Sequence, residues 1–230
     1  MTTVSWLLQT AADLPPHAEW LSPAEIEQLA GLAVSKRRRE WRLGRWTAKR
    51  ALAAYRPETL GRRPLSDLEI RTATDGAPEA TCDGQALPLA LTLSHRSDLA
   101  VSAVAEADTA LGCDLEWLEP RSEGLIEDFF TVQERTLVAA AGAEEAELLA
   151  NLVWSAKESA LKAMRVGLRM DTREVEVELP ARDGVDGWRP VSVHHQESGR
   201  EFVGWWRQIS SCVLTILASP PARVPVELWC

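Results

Sequence analysis

Apolar residues recur along the chain with two different periods, and the change from one to the other marks its elements. Val4, Trp6 and Leu8 alternate with polar neighbours, which predicts an opening strand over residues 3–9. Ser22-Pro23-Ala24-Glu25 reads as a helix start, with Ser as N-cap, Pro in the first turn and Glu three residues after the cap. That helix is expected to run through Leu29 and to break near Gly31. Residues 36–52 keep a helical period: Trp41, Ala48 and Leu52 can face inward, while Arg38, Arg45 and Lys49 form a separate cationic stripe. Gly and Pro crowd residues 56–90, which predicts turns around short strands. Residues 91–96 and 99–105 then read as two strands joined by a tight turn, and 111–117 as another strand.

Residues 122–150 return to a helical pattern, first from Gly124 to Phe130 and then from Thr131 on, where Thr131 and Glu134 have capping-box spacing. Trp154 to Lys162 contains neither Gly nor Pro; its apolar stripe lies beside Glu158 and Lys162, one turn apart. Residues 175–179, 191–194, 202–206 and 212–217 complete a small antiparallel sheet. Each half therefore offers strands and one long helix, an α+β chain, and no residue-level repeat is evident between the halves. His194 and His195 read as edge or surface histidines, and the tryptophans as mostly core.

Composition adds limits. With 230 residues and 46% apolar content, the chain can bury one large or two small cores. Four cysteines without metal-ligand spacing read as free thiols of a reducing compartment. Residues 1–16 lack a signal-peptide pattern and no apolar run spans a bilayer, so cytoplasmic is the expected location. The net charge is -9, yet 11 of the 25 Lys and Arg residues lie between Lys36 and Arg63. An acidic chain with one basic segment suggests a locally bound anion, and it speaks against a nucleic-acid coat.

Two short stretches carry candidate chemistry. In a strand, Asp114 and Glu116 project to the same face, where they repel unless water or a cation relieves them. A hard divalent ion such as Mg2+ takes such oxygens readily. Without a cation they would be a solvated strand end, and Glu158 with Lys162 an ordinary surface helix pair.

Together, Gly112-Cys113-Asp114-Leu115-Glu116 and Trp154-Ser155-Ala156-Lys157-Glu158-Ser159-Ala160-Leu161-Lys162 resemble the GxDxE and WxxKEAxxK signature of 4'-phosphopantetheinyl transferases, with Ser159 where Ala is usual. The basic helix is similar to the family's phosphate-binding helix, with Arg45 and Lys49 matching best and Arg38 less closely. Ser94-His95 matches its Ser-His-Ser turn, with Arg96 in place of the last Ser. Val166-Gly167-Leu168 corresponds to its Gly-Leu turn, and Ala77 stands where a cation is usual in a nucleotide-touching turn.

The resemblance implies the long, two-half (Sfp-type) form: two pseudo-symmetric α+β halves, 1–110 and 111–230, with coenzyme A in the cleft between them, and a monomer. It implies Mg2+ held by Asp114, Glu116 and Glu158. Coenzyme A would be bound by Arg38, Arg45, Lys49, Ser94, His95, Lys157 and Lys162. A carrier-protein serine would attack the β-phosphorus and release 3',5'-ADP. Lys162 would assist the departing phosphate, and Glu134 or a metal-bound water would take the serine proton. The partners implied are coenzyme A and an apo acyl or peptidyl carrier protein. The rival readings are a non-catalytic coenzyme A sensor of the same fold and a nucleic-acid module centred on Lys36–Arg50, the latter set against the overall acidity.

Overall fold

The computed structural model describes residues 1–181 and 183–229. Cys82, Cys113 and Cys212 are free thiols, and Cys230 lies outside the described residues. The fold is α+β, and the chain divides into two compact units. The first runs from Thr3 to Thr109 and includes the chain from Pro225 on; the second runs from Ala110 to Val224 and includes Met1–Thr2.

In the first unit, β1 (Ser5–Thr10) leads to α1 (Pro23–Gly31) and the long α2 (Ser35–Tyr55). A small antiparallel sheet follows, β2 (Leu68–Thr72), β3 (Pro78–Cys82) and β4 (Gln85–Ala86), and then the hairpin β5 (Leu89–Arg96) and β6 (Leu99–Glu106). β6 pairs antiparallel with both β1 and β5. Ala48, Ala51 and Leu52 of α2 bury against Leu7, Leu91 and Val104, so the helix closes one face of this sheet. Trp41 is half-buried in a separate cluster around Trp20, Leu21 and Leu29.

The second unit opens with β7 (Ala110–Trp117), followed by α3 (Glu123–Phe129), α4 (Val132–Ala140) and α5 (Ala143–Ala163). β8 (Val175–Glu178), β9 (Arg189–His195), β10 (Glu201–Ile209) and β11 (Cys212–Ser219) complete an antiparallel sheet of order β7-β11-β10-β9-β8. Ala156, Ala160 and Leu161 of α5 share its core with Val191, Val193, Phe202, Val213 and Leu217. A two-residue strand that the alternation does not predict, β12 (Val226–Glu227), runs parallel to β1 in the first unit.

The units share a device made of side-chain placement rather than of an extended sequence repeat. Ser22 and Glu25 form the capping box of α1, and Thr131 and Glu134 that of α4. Glu25 also accepts from the Ile70 backbone N–H at 3.0 Å, Glu134 from that of Val177 at 2.8 Å. Each is buried against the lysine of its unit's long helix, Lys49 for Glu25 and Lys157 for Glu134. The sequences agree locally: Trp46-Thr47-Ala48-Lys49 repeats as Trp154-Ser155-Ala156-Lys157. Four residues are too few to detect in isolation, and the matching glutamates lie far upstream of their lysines in the chain.

Candidate active site

The site of the second unit begins with a glycine. A Cβ on Gly112 would lie 1.8 Å from the Ser159 carbonyl oxygen and 2.8 Å from the Ala163 nitrogen. The missing side chain therefore lets α5 lie directly on β7. On the neighbouring strand β11 the same helix is held by hydroxyls: Thr215 Oγ1 is 2.9 Å from Ser155 Oγ and 2.7 Å from Ser159 Oγ. Thr215 is the residue opposite Asp114 in the β7–β11 ladder. Ser159, where the resemblance has Ala, is thus accommodated by a hydroxyl partner inside the core.

This contact brings together Asp114 and Glu116 from β7 and Glu158 from α5, with one ligand oxygen of each within 4.8 Å of the others. Asp114 and Glu116 are buried, and the Glu158 side chain is 23% exposed. Crowded carboxylates at such a place disfavour full ionisation. The Glu158 carboxyl is pushed up to about 7 by burial and by Asp114, further by Glu116, with Lys162 opposing. The Lys162 ammonium donates to Asp114 Oδ1 at 2.7 Å and to the Cys113 carbonyl at 3.1 Å, and lies 3.9 Å from Glu158. Burial pulls the Lys162 pKa down, but Asp114 and Glu158 more than offset this and leave it above the ordinary lysine value. The set is all-oxygen, acidic and reachable, which fits a hard divalent cation such as Mg2+.

Arg121, which the motifs do not single out, completes the surroundings. Its Nη2 donates to Glu116 Oε2 at 2.8 Å and its Nε to Asn151 Oδ1 at 2.7 Å. The Asn151 amide donates in turn to the Glu119 and Glu147 carbonyls. An arginine just beyond a strand end, after Pro120, is too common a pattern to have marked this role.

Three expected site residues are placed elsewhere, for one physical reason. Lys49 is fully buried, paired with Glu25 and donating to the Trp20 carbonyl at 2.9 Å; it cannot present an ammonium to a phosphate as it stands. Lys157 is likewise buried, 2.8 Å from Glu134 and bonded to the Thr172 and Val175 carbonyls. Burial lowers both lysine pKa values, while their glutamates pull them back up. Glu134, the expected base, is 2% exposed and already accepts from Thr131 N, Val177 N and Lys157 Nζ. In this arrangement Lys49, Lys157 and Glu134 are each engaged by buried partners rather than turned toward the carboxylate trio.

The remaining expected residues lie in the first unit. The Arg45 guanidinium is nearly buried, 4.8 Å from the Trp41 ring centroid, with Nε 3.9 Å from Glu25. Arg38 donates to the Leu32 carbonyl at 3.2 Å and stays half-exposed. Ser94 is nearly buried on β5; His95 beside it is exposed and borders Gly44 of α2.

Residues 110–207, the span holding the carboxylates, Lys162 and Arg121, match the ACPS family, the 4'-phosphopantetheinyl transferase superfamily. Over that span the chain is similar to this superfamily. Among solved structures, the holo-[acyl-carrier-protein] synthase (AcpS) of Thermotoga maritima is similar, with a TM-score of 0.38 and 19% identity over 57% of this chain and 76% of that one. No curated protein sequence matches. No described helix is long and apolar enough to cross a membrane.

Proposed function

We propose that this protein transfers 4'-phosphopantetheine from coenzyme A to a serine of an apo acyl or peptidyl carrier protein in the cytoplasm. The observation that carries the reading is the trio Asp114, Glu116 and Glu158 around Lys162, within the span that matches the superfamily. Asp114, Glu116 and Glu158 would hold Mg2+, whose charge, when bound, offsets that of the pyrophosphate. Arg121 limits the motion of Glu116 and keeps one of its oxygens directed. Lys162 is the cation of the second unit that stays partly exposed at the carboxylates, with 30% of its side chain accessible. Its ammonium would receive the charge that develops on the departing 3',5'-ADP phosphate. At the nucleotide end, His95 and Ser94 would contact phosphate, with Arg38 and Arg45 adding forked donors.

The test is intact-mass analysis of several apo carrier proteins incubated with this protein, coenzyme A and Mg2+. A phosphopantetheine increment is expected, and it should vanish with EDTA and in Glu158→Ala. Loss of the site's several kcal/mol of charge stabilisation corresponds to a drop of about a hundredfold or more in rate. No increment on any carrier, with coenzyme A still bound, would replace this reading by a coenzyme A sensor.

A further inference from the structure

The second unit holds another convergence of metal-type donors, on a different set of elements from the carboxylate trio. Glu174 ends the short 3-10 turn before β8, His195 ends β9, and Glu197 lies in the turn to β10. One ligand atom from each lies within 4.8 Å of the other two. His195 does not sit at the surface as the sequence suggested: it is 5% exposed, and its Nε2 has no hydrogen-bond partner. That Nε2 points toward Glu174, with Oε2 at 3.8 Å. The other ring nitrogen, Nδ1, is 2.6 Å from Ser198 Oγ.

A separation of 3.8 Å is too long for an N–H···O hydrogen bond. It is close to the roughly 3.4 Å between two ligand atoms sharing one tetrahedral zinc at bond lengths near 2.1 Å. In the tautomer in which Nδ1–H donates to Ser198 Oγ, Nε2 carries the lone pair, and Ser198 then serves as the outer partner of a metal-bound histidine. The backbone holds the donors in place: Gln196 N donates to the Glu174 carbonyl at 2.9 Å, and His195 N to the Arg200 carbonyl at 2.9 Å. Glu174 and Glu197 are open to solvent, which gives an ion an entry path.

We propose that Glu174, His195 and Glu197 form a second cation site, for a borderline transition-metal ion of the Zn2+ class, clamping the β9–β10 turn to the start of β8. One imidazole with two carboxylates selects Zn2+ over Mg2+, because the harder ion favours oxygen and water. The ion is structural here, and the site is separate from the carboxylates proposed for Mg2+.

The experiment is a calorimetric Zn2+ titration of the metal-stripped full chain in an Asp114→Asn/Glu158→Gln background, which silences the first site. One Zn2+ per chain is expected, with Co2+ substitution giving the intense visible absorption of a tetrahedral ion. Glu174→Gln/Glu197→Gln, which alters only solvent-reaching carboxylates, should abolish uptake while leaving the far-ultraviolet circular dichroism unchanged. Ser198→Ala should weaken Zn2+ affinity by about 10- to 100-fold. Zn2+ uptake unchanged in the double glutamine variant, or no uptake in the background chain, would overturn the site. In the latter case, nitrogen NMR of His195 should show Nε2 protonated as the partner of Glu174.

Discussion

Glu134 shows how a buried partner changes what a residue can do. Its carboxylate holds together the start of α4, the β8 backbone and the Lys157 ammonium, all out of water. Removing one member of such a pair leaves the other charged and uncompensated, at a cost of about 3–5 kcal/mol. Glu134→Gln should therefore lower stability by that amount in chemical denaturation while leaving the transfer rate per folded molecule nearly intact. A variant that is stable but inactive would restore the glutamate as a base. A second residue can be read optically, because Tyr55 is the only tyrosine of the chain. Burial and the hydrogen bond to Glu106, at 2.8 Å, push its pKa up to about 12. A phenol whose folded pKa lies above its unfolded value near 10 stabilises the fold fully below that pH. The stabilisation is lost as pH rises through 12. Tyrosinate absorption should accordingly show a midpoint near 12, and Glu106→Gln should move it downward. A wild-type midpoint at the ordinary tyrosine value would contradict the contact.

At the scale of elements, the carboxylate trio depends on how closely α5 approaches β7, and that depends on Gly112. Gly112→Ala would push a methyl group into helix backbone, which cannot yield as a flexible side chain can. The loss of stability should exceed the roughly 1–3 kcal/mol of ordinary overpacking. Mg2+ affinity should fall with it, as Glu158 withdraws from Asp114; urea denaturation and a Mg2+ titration of the same variant check both. The role of this glycine as a spacer was not legible, although its place in the motif was. Period and capping chemistry did make the elements legible: the Ser22 and Thr131 boxes start α1 and α4 where the sequence places them, and Asp114 and Glu116 share a strand face. The directions of Lys49 and Lys157 were not legible. A lysine at helical spacing reads as a solvated face unless its glutamate is known to arrive from another helix. His195 was misread for a related reason: alternation identifies a strand's faces, and the following turn decides which of them is covered.

Among the described residues, the same buried Glu–Lys device occurs in each unit, yet the acidic trio of Asp114, Glu116 and Glu158 lies in the second. β1 carries no Asp or Glu, and the position after Lys49 is Arg50, whereas the position after Lys157 is Glu158. The repeated pairs thus serve to anchor a long helix to its unit, and the acidic trio is a feature of the second unit's own strand and helix. This separation fixes a stoichiometry. A Mg2+ titration of the metal-stripped chain should give one ion per chain, lost in Asp114→Asn and kept in Glu25→Gln, provided that variant is assayed where it remains folded. The second metal site does not alter the count, since an imidazole and two solvent-reaching carboxylates compete poorly for Mg2+ against its water shell. Two Mg2+ ions per chain, or one that survives Asp114→Asn, would mean that the first unit or the Glu174–His195 cluster binds the hard ion too. The assignment of Mg2+ to β7 and α5 alone would then fail.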